Sequence, residues 1–337
     1  MFLSIIIPIY NGAKFLKRTL DSVLCQGLND LEYELILVDD GSTDNTLDIC
    51  NFYKSNYLNI KVCSKRNEGL SMARNKGLQM ASGDYVYFMD ADDFLMPNGF
   101  KYLLDNYYEK DLDIFAFWGE SINNFNESYC PNESIKGIII YDGWGANYLK
   151  HRYQTFVWNQ IYKRSFLLSN NLCFSMVSMC EDTLFNLQVY AKNPRVRIIS
   201  SKIYRYILYP GNSQLSTKRS PDYIRDNIRS YMCLFSVIAQ LDKTYTNEYN
   251  SDGMKRMFQG QLIPFMSRLL SSDLSKSDIN VLINTLFQKG LLPFSTFYNK
   301  YAKVFWIMIN TLSLFPIYKF FYKRIFLTFI LPKLSRE

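Results

Sequence analysis

Residues 83–97 read GDYVYFMDADDFLMP, a run of aromatic and apolar residues that stops abruptly at Asp90, Ala91, Asp92 and Asp93. An apolar run of this length bounded by polar residues is the pattern of a buried strand. Three carboxylates at its end repel one another, and burial raises their pKa values unless a cation neutralises them. Asp90 and Asp92 have the spacing to face one metal ion or its bound waters. Hard oxygen ligands suit Mg²⁺ or Mn²⁺, which commonly bind through one or two carboxylates plus substrate phosphates. The alternative is a solvated acidic turn, with Asp93 or Asn98 capping the helix after Pro97.

The same alternation recurs upstream of this stretch. LSIIIPI (3–9), YELILVDD (33–40), IKVCS (60–64) and YVYFMD (85–90) read as strands. NGAKFLKRTLDSVLCQ (11–26), the segment following an N-cap signal at Ser42, Thr43 and Asp44, and GLSMARNKGLQMA (69–81) read as helices. Strand and helix alternating at this pitch predict an α/β fold, a Rossmann-like mixed and mostly parallel open sheet flanked by helices. Ligands of such sheets bind beyond the carboxyl ends of the strands. YNG, DDGSTD, RNEG and DADD follow the four strands in turn, so four polar clusters line one edge and form a crevice.

Asp39 and Asp40 lie at the end of the neighbouring strand, where a carboxylate can accept from a ribose hydroxyl or a base N–H. Tyr10 can lie against the face of a base. DGST is also an ordinary turn plus helix cap, and a lone Tyr after a strand is commonly packing. No P-loop is present, and the single Gly-x-Gly at 143–145 lacks the third glycine of a dinucleotide site. A nucleotide here would have to be held by carboxylates and a metal.

The 337 residues allow one large domain or one domain plus a smaller one, and 48% apolar content supports a sizeable core. A net charge of +7 is too modest to argue for nucleic acid, and no nucleic-acid-binding motif occurs. The seven cysteines show no zinc or redox spacing and are expected as reduced thiols of a cytosolic chain. The opening MFLSIIIPIYNG lacks a basic start and is expected to be a buried strand rather than a signal. The Asn-Glu-Ser sequons at 126 and 132 carry no weight without an export signal. His151 is the only histidine, so chemistry built on several imidazoles is excluded and acid–base work must run mainly on carboxylates.

Further along, DIFAFWG (113–119), GIIIY (137–141), FVWNQIYKRSFL (156–167) and RVRIISSKIYRYIL (195–208) return to apolar patterning. MCEDTLFNLQVYAK (179–192) reads as a helix with Glu181 and Asp182 at its N-terminus. From about residue 221 the pattern is helical.

Taken together, SIIIPIYNGAKFLKRTLDSVLCQ, LVDDGSTDNT and NEGLSMARNKGLQMASGDYVYFMDADD resemble the inverting family 2 glycosyltransferases with the glycosyltransferase A fold. The resemblance continues in VWNQIYKRSFL, EDTLFN and YRYILYPGNSQLS, covering residues 1–216. It implies a catalytic domain at 1–216 and a helical module at 217–337. It also implies a nucleotide-sugar donor, a UDP-sugar, and a glycan or lipid-linked glycan acceptor in bacterial capsule, lipopolysaccharide or exopolysaccharide assembly. By that resemblance Pro8, Tyr10, Asp39 and Asp40 hold the nucleoside, with Asn67 and Arg74 nearby. Asp90 sits by the ribose or the metal, and Asp92 is the ligand of Mn²⁺ or Mg²⁺. Asp182 is the general base with Glu181 beside it, and Trp158 and Asn159 border the sugar or acceptor.

Two positions depart from the family pattern. Ile207 stands where relatives often have arginine, a role that Arg205, Lys218 or Arg219 would take over, and Cys180 replaces the glycine often seen before Glu-Asp. Inverting transfer needs one carboxylate to reach the acceptor hydroxyl and a cation to stabilise the leaving group. An aspartate of ordinary pKa, about 4, is ionised at neutral pH, and a helix N-terminus should keep Asp182 so. The bland alternative for Asp182 is a helix-cap carboxylate without a catalytic task. Two other functions fit less of the pattern: a degenerate transferase acting as a membrane-bound scaffold, and a sugar-phosphate nucleotidyltransferase, which would need a Gly-rich loop where YNGAKFL stands.

The C-terminal stretch from Tyr301 is apolar and aromatic, edged with Lys and Arg. Its uncharged run, Val304 to Tyr318, is 15 residues, too short as a helix to cross a hydrocarbon core of roughly 30 Å. The sequence leaves two expectations open. One is a segment lying on the cytoplasmic face of the inner membrane, with Lys319, Lys323 and Arg324 near anionic headgroups. The other is a helix pair packed on the catalytic domain or on a second subunit. YPGNSQLSTKRS, with Gly211 as hinge, is a candidate lid.

Overall fold

The computed structural model describes residues 3–122, 135–145, 147, 156–208, 220–245, 252–294, 296–297 and 299–322. His151, both sequons, the candidate lid, Lys218, Arg219, Lys323 and Arg324 lie outside the described residues. The chain divides into two compact units: Met1–Tyr148 with Gln154–Met176 and Glu181–Tyr209, and Leu149–Tyr153 with Val177–Cys180 and Pro210–Glu337.

The first unit is built on one sheet. Its strands are β1 (Leu3–Ile9), β2 (Tyr33–Asp39), β3 (Ile60–Ser64), β4 (Tyr85–Phe88), β5 (Phe94–Leu95), β6 (Ile114–Ile122), β7 (Ile139–Trp144), β8 (Gln160–Lys163) and β9 (Arg195–Ile207). They lie in the order β3-β2-β1-β4-β8-β6-β9-β5, with β7 also on β9. The first four are parallel, as the alternating sequence predicts. β8 runs antiparallel to both β4 and β6, and β6 and β9 pair in parallel. Every residue of β1 and β2 is buried, which suits strands covered on both faces.

Register decides where the functional edge falls. Ile9 pairs with Asp39 and Asp39 with Ser64, so the first three strands end level. The loops carrying Tyr10, Asp40 and Asn67 therefore open side by side.

Among the described residues, helices α1 (Ala13–Leu24), α2 (Thr46–Asn56), α3 (Leu70–Met80), α4 (Gly99–Tyr107), α5 (Arg164–Ser169) and α6 (Glu181–Tyr190) flank the sheet in this unit. α3 lies tight against the sheet: a Cβ on Gly77 would come within 2.2 Å of Ile6 Cγ2. That contact fixes the height of Arg74, one turn earlier on α3.

Two local expectations are corrected. α2 starts at Thr46 without a side-chain cap at Asn45. Asp44 instead accepts from the Thr46 N–H, while Ser42 and Thr43 bond to Asn11. Neither Asp93 nor Asn98 caps α4, because Asp93 turns into the core and Asn98 adopts a left-handed backbone with φ 57°. The two-residue strand β5 was not foreseen, since so short a segment shows no periodicity.

The second unit is helical: α7 (Pro221–Tyr245), α8 (Asp252–Gly260), α9 (Leu262–Ser271), α10 (Lys276–Gln288), α11 (Lys300–Asn310) and α12 (Phe315–Phe321). Its core is aromatic, with Phe235 edge-on to Phe258 and Phe265 at centroid distances of 4.7 and 5.1 Å. Such contacts add about 0.5–1.5 kcal/mol each beyond area burial. Among the described residues no helix is long and apolar enough to cross a membrane.

Candidate active site

The acidic turn after β4 is held from below by α1. Thr19 and Ser22 lie on the buried face of this otherwise amphipathic helix, and Gln26, two residues past its end, extends the polar line inward. The Thr19 hydroxyl is shared between the carbonyls of Ala91 and Asp93, at 2.8 and 2.7 Å. Ser22 accepts from the Leu95 N–H, and Gln26 donates to the Met96 carbonyl and accepts from the Phe100 N–H. Arg18 adds a bond to the Asp92 carbonyl at 2.9 Å. Sequence reasoning missed these four residues. The signal was present in that line: polar residues at helical spacing on an inward face need backbone partners.

The three carboxylates of DADD then separate. Asp93 is fully buried and accepts from the Tyr204 hydroxyl at 2.6 Å and the Ile207 N–H at 2.9 Å. Burial, with Asp90 and Asp92 nearby, pushes its carboxyl up to about 8. It is a structural acid that ties the turn to β9. Asp92 stays partly exposed, and burial next to Asp90 raises its carboxyl to about 6.

Asp90 faces Arg74. Arg74 is 2% exposed and donates to Asp90 Oδ1 at 2.9 Å and to Asp182 Oδ1 at 2.6 Å. Glu181 is a further ion-pair partner at 3.7 Å, and the guanidinium lies over the Phe174 ring at 5.2 Å. The Val157 N–H donates to the other Asp182 oxygen at 3.2 Å. One buried cation thus serves three carboxylates from two parts of the chain. Arg74 was expected beside the nucleoside; the structure makes it the link between the acidic turn and the start of α6.

That link corrects the expected ionisation of Asp182. Burial pushes its carboxyl up to about 7; Arg74 pulls it down, while Glu181 and Asp90 push it further up. The helix N-terminus does not outweigh two neighbouring carboxylates in a dry setting. Each oxygen has one donor and retains a lone pair, so the group can accept a proton.

A cavity of about 330 Å³ opens beside this cluster, lined by Pro8, Ile9, Tyr10, Asp40, Asn67, Gly69, Leu70 and Ala73. Four expected nucleoside residues meet there: Pro8, Tyr10, Asp40 and Asn67. Tyr10 is 54% exposed, as a residue offering its ring to a ligand should be. Asp40 is fixed by Lys65 at 2.6 Å and by the N–H groups of Glu68 and Gly69. Asp39 is not on the cavity wall. Its two oxygens accept from the Ser42 N–H and the Ser64 hydroxyl, which makes it the organiser of the turn.

Trp158 and Asn159, expected to border the sugar, are both buried. The Trp158 ring is stacked against Phe156 and Tyr204, and the Asn159 carbonyl accepts from the Phe117 N–H. Arg205, considered as a stand-in for a missing arginine at Ile207, is paired with Glu120 at 2.8 Å.

Oxygen donors of the right type for a hard divalent cation are present at Asp92 and Asp90. Burial and the neighbouring Asp90 both raise the Asp92 carboxyl, and a cation held between the two carboxylates would oppose both effects. Among the described residues no group of three or more His, Cys, Asp or Glu forms a metal cage. A cation at this turn would therefore depend on one or two carboxylates together with ligand oxygens.

Comparison with known proteins agrees with this sheet. Residues 4–171 match the model of glycosyl transferase family 2. The chain is 28% identical over 253 residues to the uncharacterized glycosyltransferase YibD of Escherichia coli, covering 73% of this chain and 72% of that one. It is 32% identical over 208 residues to the uncharacterized glycosyltransferase EpsJ of Bacillus subtilis, covering 60% of each. The crystal structure of Staphylococcus aureus TarS 1-349 in complex with UDP-GlcNAc shares the fold with a TM-score of 0.60, at 22% identity and over 87% of this chain and 82% of that one. TarS is named a poly(ribitol-phosphate) β-N-acetylglucosaminyltransferase; the sequence match to it spans 44% of its length. The chain belongs to the family 2 glycosyltransferases. It is a glycosyltransferase of the glycosyltransferase A fold, and the nucleotidyltransferase alternative falls away.

Proposed function

We propose that the chain catalyses inverting transfer of a sugar from a UDP-sugar to a glycan or lipid-linked glycan in bacterial surface polysaccharide synthesis. The observation that carries this reading is the ion-pair cluster in which Arg74 holds both Asp90 and Asp182. It brings the acidic turn and a carboxylate of raised pKa into one site. The solved TarS complexed with UDP-GlcNAc and the cavity under Tyr10 support a uridine nucleotide as donor.

Pro8, Tyr10, Asp40 and Asn67 would take the nucleoside, with Tyr10 against the base. Asp92, with Asp90, would hold a Mn²⁺ or Mg²⁺, which when bound neutralises charge on the departing diphosphate. Asp182 accepts the proton of the acceptor hydroxyl as that oxygen bonds to the anomeric carbon. The bond to the diphosphate breaks on the opposite face, and the nucleoside diphosphate leaves with the electron pair. A base whose pKa lies near neutrality is well matched to this task. Glu181 and Asp90 keep that pKa high, and Arg74 keeps the carboxylate in place.

Exposed Val304, Ile307, Leu314, Ile317 and Phe320 on α11, α12 and the turn between them support peripheral contact with a lipid surface, which suits a lipid-linked acceptor. Asp182→Asn should abolish transfer while sparing UDP binding measured by thermal shift, and Asp92→Asn should abolish the metal-stimulated part of activity. Full turnover by either variant overturns the assignment. A scaffold without activity would release no UDP from any donor in the presence of Mn²⁺ or Mg²⁺.

A further inference from the structure

We propose that the exposed ring of Phe156, backed by Trp158, is the acceptor platform, and that the acceptor it takes ends in a pyranose ring. This rests on the transferase reading above and deepens it. Phe156 is 50% exposed, and its ring lies nearly parallel to that of Trp158, at 5.0 Å and 21°. Trp158 in turn stacks on Tyr204 at 4.3 Å and lies parallel to Tyr206 at 6.3 Å. A Cβ on Gly119 would come within 2.4 Å of the Trp158 ring, so the indole lies flat only because that position is glycine.

The stack is anchored at both ends, to the buried acid of the acidic turn and to the segment that holds the base. Tyr204 donates to Asp93 of the acidic turn at 2.6 Å. At the other end the Phe156 carbonyl accepts from the Asn186 and Gln160 side-chain amides, each at 2.9 Å. The residue after it, Val157, gives its N–H to Asp182. Phe156 is thus the immediate sequence neighbour of the residue whose N–H holds the base. A half-exposed phenylalanine whose backbone is fixed this firmly is costly to leave facing water. Its value lies in presenting a π-face on a backbone that is bonded, through the Val157 N–H, to Asp182.

A pyranose offers a matching surface. Its axial C–H groups, polarised by neighbouring oxygens, form an apolar face that suits the negative face of an aromatic ring. Its hydroxyls project from the rim, where one can point at Asp182. An acyclic polyol phosphate has no such face.

Saturation-transfer NMR on the full chain tests this, with UDP present and methyl β-D-glucopyranoside, methyl β-D-galactopyranoside and ribitol 5-phosphate as probes. Saturation should reach the C–H protons of one pyranoside face. Phe156→Leu should weaken pyranoside binding by about tenfold, whereas Phe156→Tyr should retain it. Equal binding by the Phe156→Leu protein overturns the proposal. So does the absence of one-faced transfer to both pyranosides in the wild-type chain, whether or not ribitol 5-phosphate binds. UDP resonances in the same sample report on the donor site, so failure of the transferase reading is told apart from failure of the platform.

Discussion

Replacing Arg74 by methionine keeps the length of the side chain on α3 and removes the cation shared by Asp90, Asp182 and Glu181. A single charge pair about 4 Å apart at an effective dielectric constant near 20 is worth about 4 kcal/mol. Breaking a buried pair by removing one partner costs about 3–5 kcal/mol, because the other charge is left uncompensated. Both routes give the same size of effect. At roughly 2–4 °C per kcal/mol for a unit of this length, the melting temperature should fall by about 6–20 °C. The same loss acts on catalysis. Without the guanidinium that pulls the Asp182 carboxyl down from its burial-driven rise, the acid limb of the kcat profile should move to higher pH. Transfer at pH 7 then drops and recovers in alkaline buffer. Arg74→Lys keeps the charge but cannot bond both carboxylates in fixed geometry, so it should restore stability more than rate. The assay is UDP release against pH alongside thermal melts. An unmoved acid limb in the Arg74→Met enzyme, with a melting point within about 2 °C of wild type, refutes the linking role.

Glu34 offers a separate pH test. Burial raises its carboxyl, but Lys61, Ser4 and Ser82 outweigh this and bring it down to about 2. A folded-state value below the unfolded one stabilises fully above pH about 4.3 and is lost as pH falls toward 2, a contribution of about 3 kcal/mol. Glu34→Gln should remove this steep loss from melts recorded between pH 5 and 2, roughly the span of the two values; an unchanged slope sinks the assignment. Cys180 has φ 61°, a left-handed conformation costing a β-carbon-bearing residue about 1–2 kcal/mol. Cys180→Gly should therefore raise the melting temperature by a few degrees, and a drop in a thermal scan would show that the side chain contributes more than the strain costs.

Much of the site was legible because each piece sits at a strand end. Pro8, Tyr10, Asp40 and Asn67 follow parallel strands whose ends are level, and a regular α/β alternation predicts that they converge. Asp39 and Asp40 are adjacent in the same turn and read alike in sequence. Asp39 closes the turn onto Ser42 and Ser64, while Asp40 lines the cavity. Strand pleating sends neighbours to opposite sides, and no local pattern says which side faces the ligand. Arg74 was legible as a site residue but not in its role, because its partners lie 16 and 108 residues away. Phe156 escaped notice because Trp158 beside it is the more conspicuous ring, and only packing shows that the tryptophan is covered and the phenylalanine is not.

The sequence by itself determined the alternating architecture, the edge on which the polar loops open and the supply of carboxylates there, since periodicity and turn chemistry are local properties of the chain. The tertiary structure alone decided how those carboxylates differ: Asp93 turned inward, Asp92 left partly open, and Asp182 raised toward neutrality against Arg74. Sequence neighbours such as Glu181 supply part of the charge, but burial and a distant partner such as Arg74 are set only by folding.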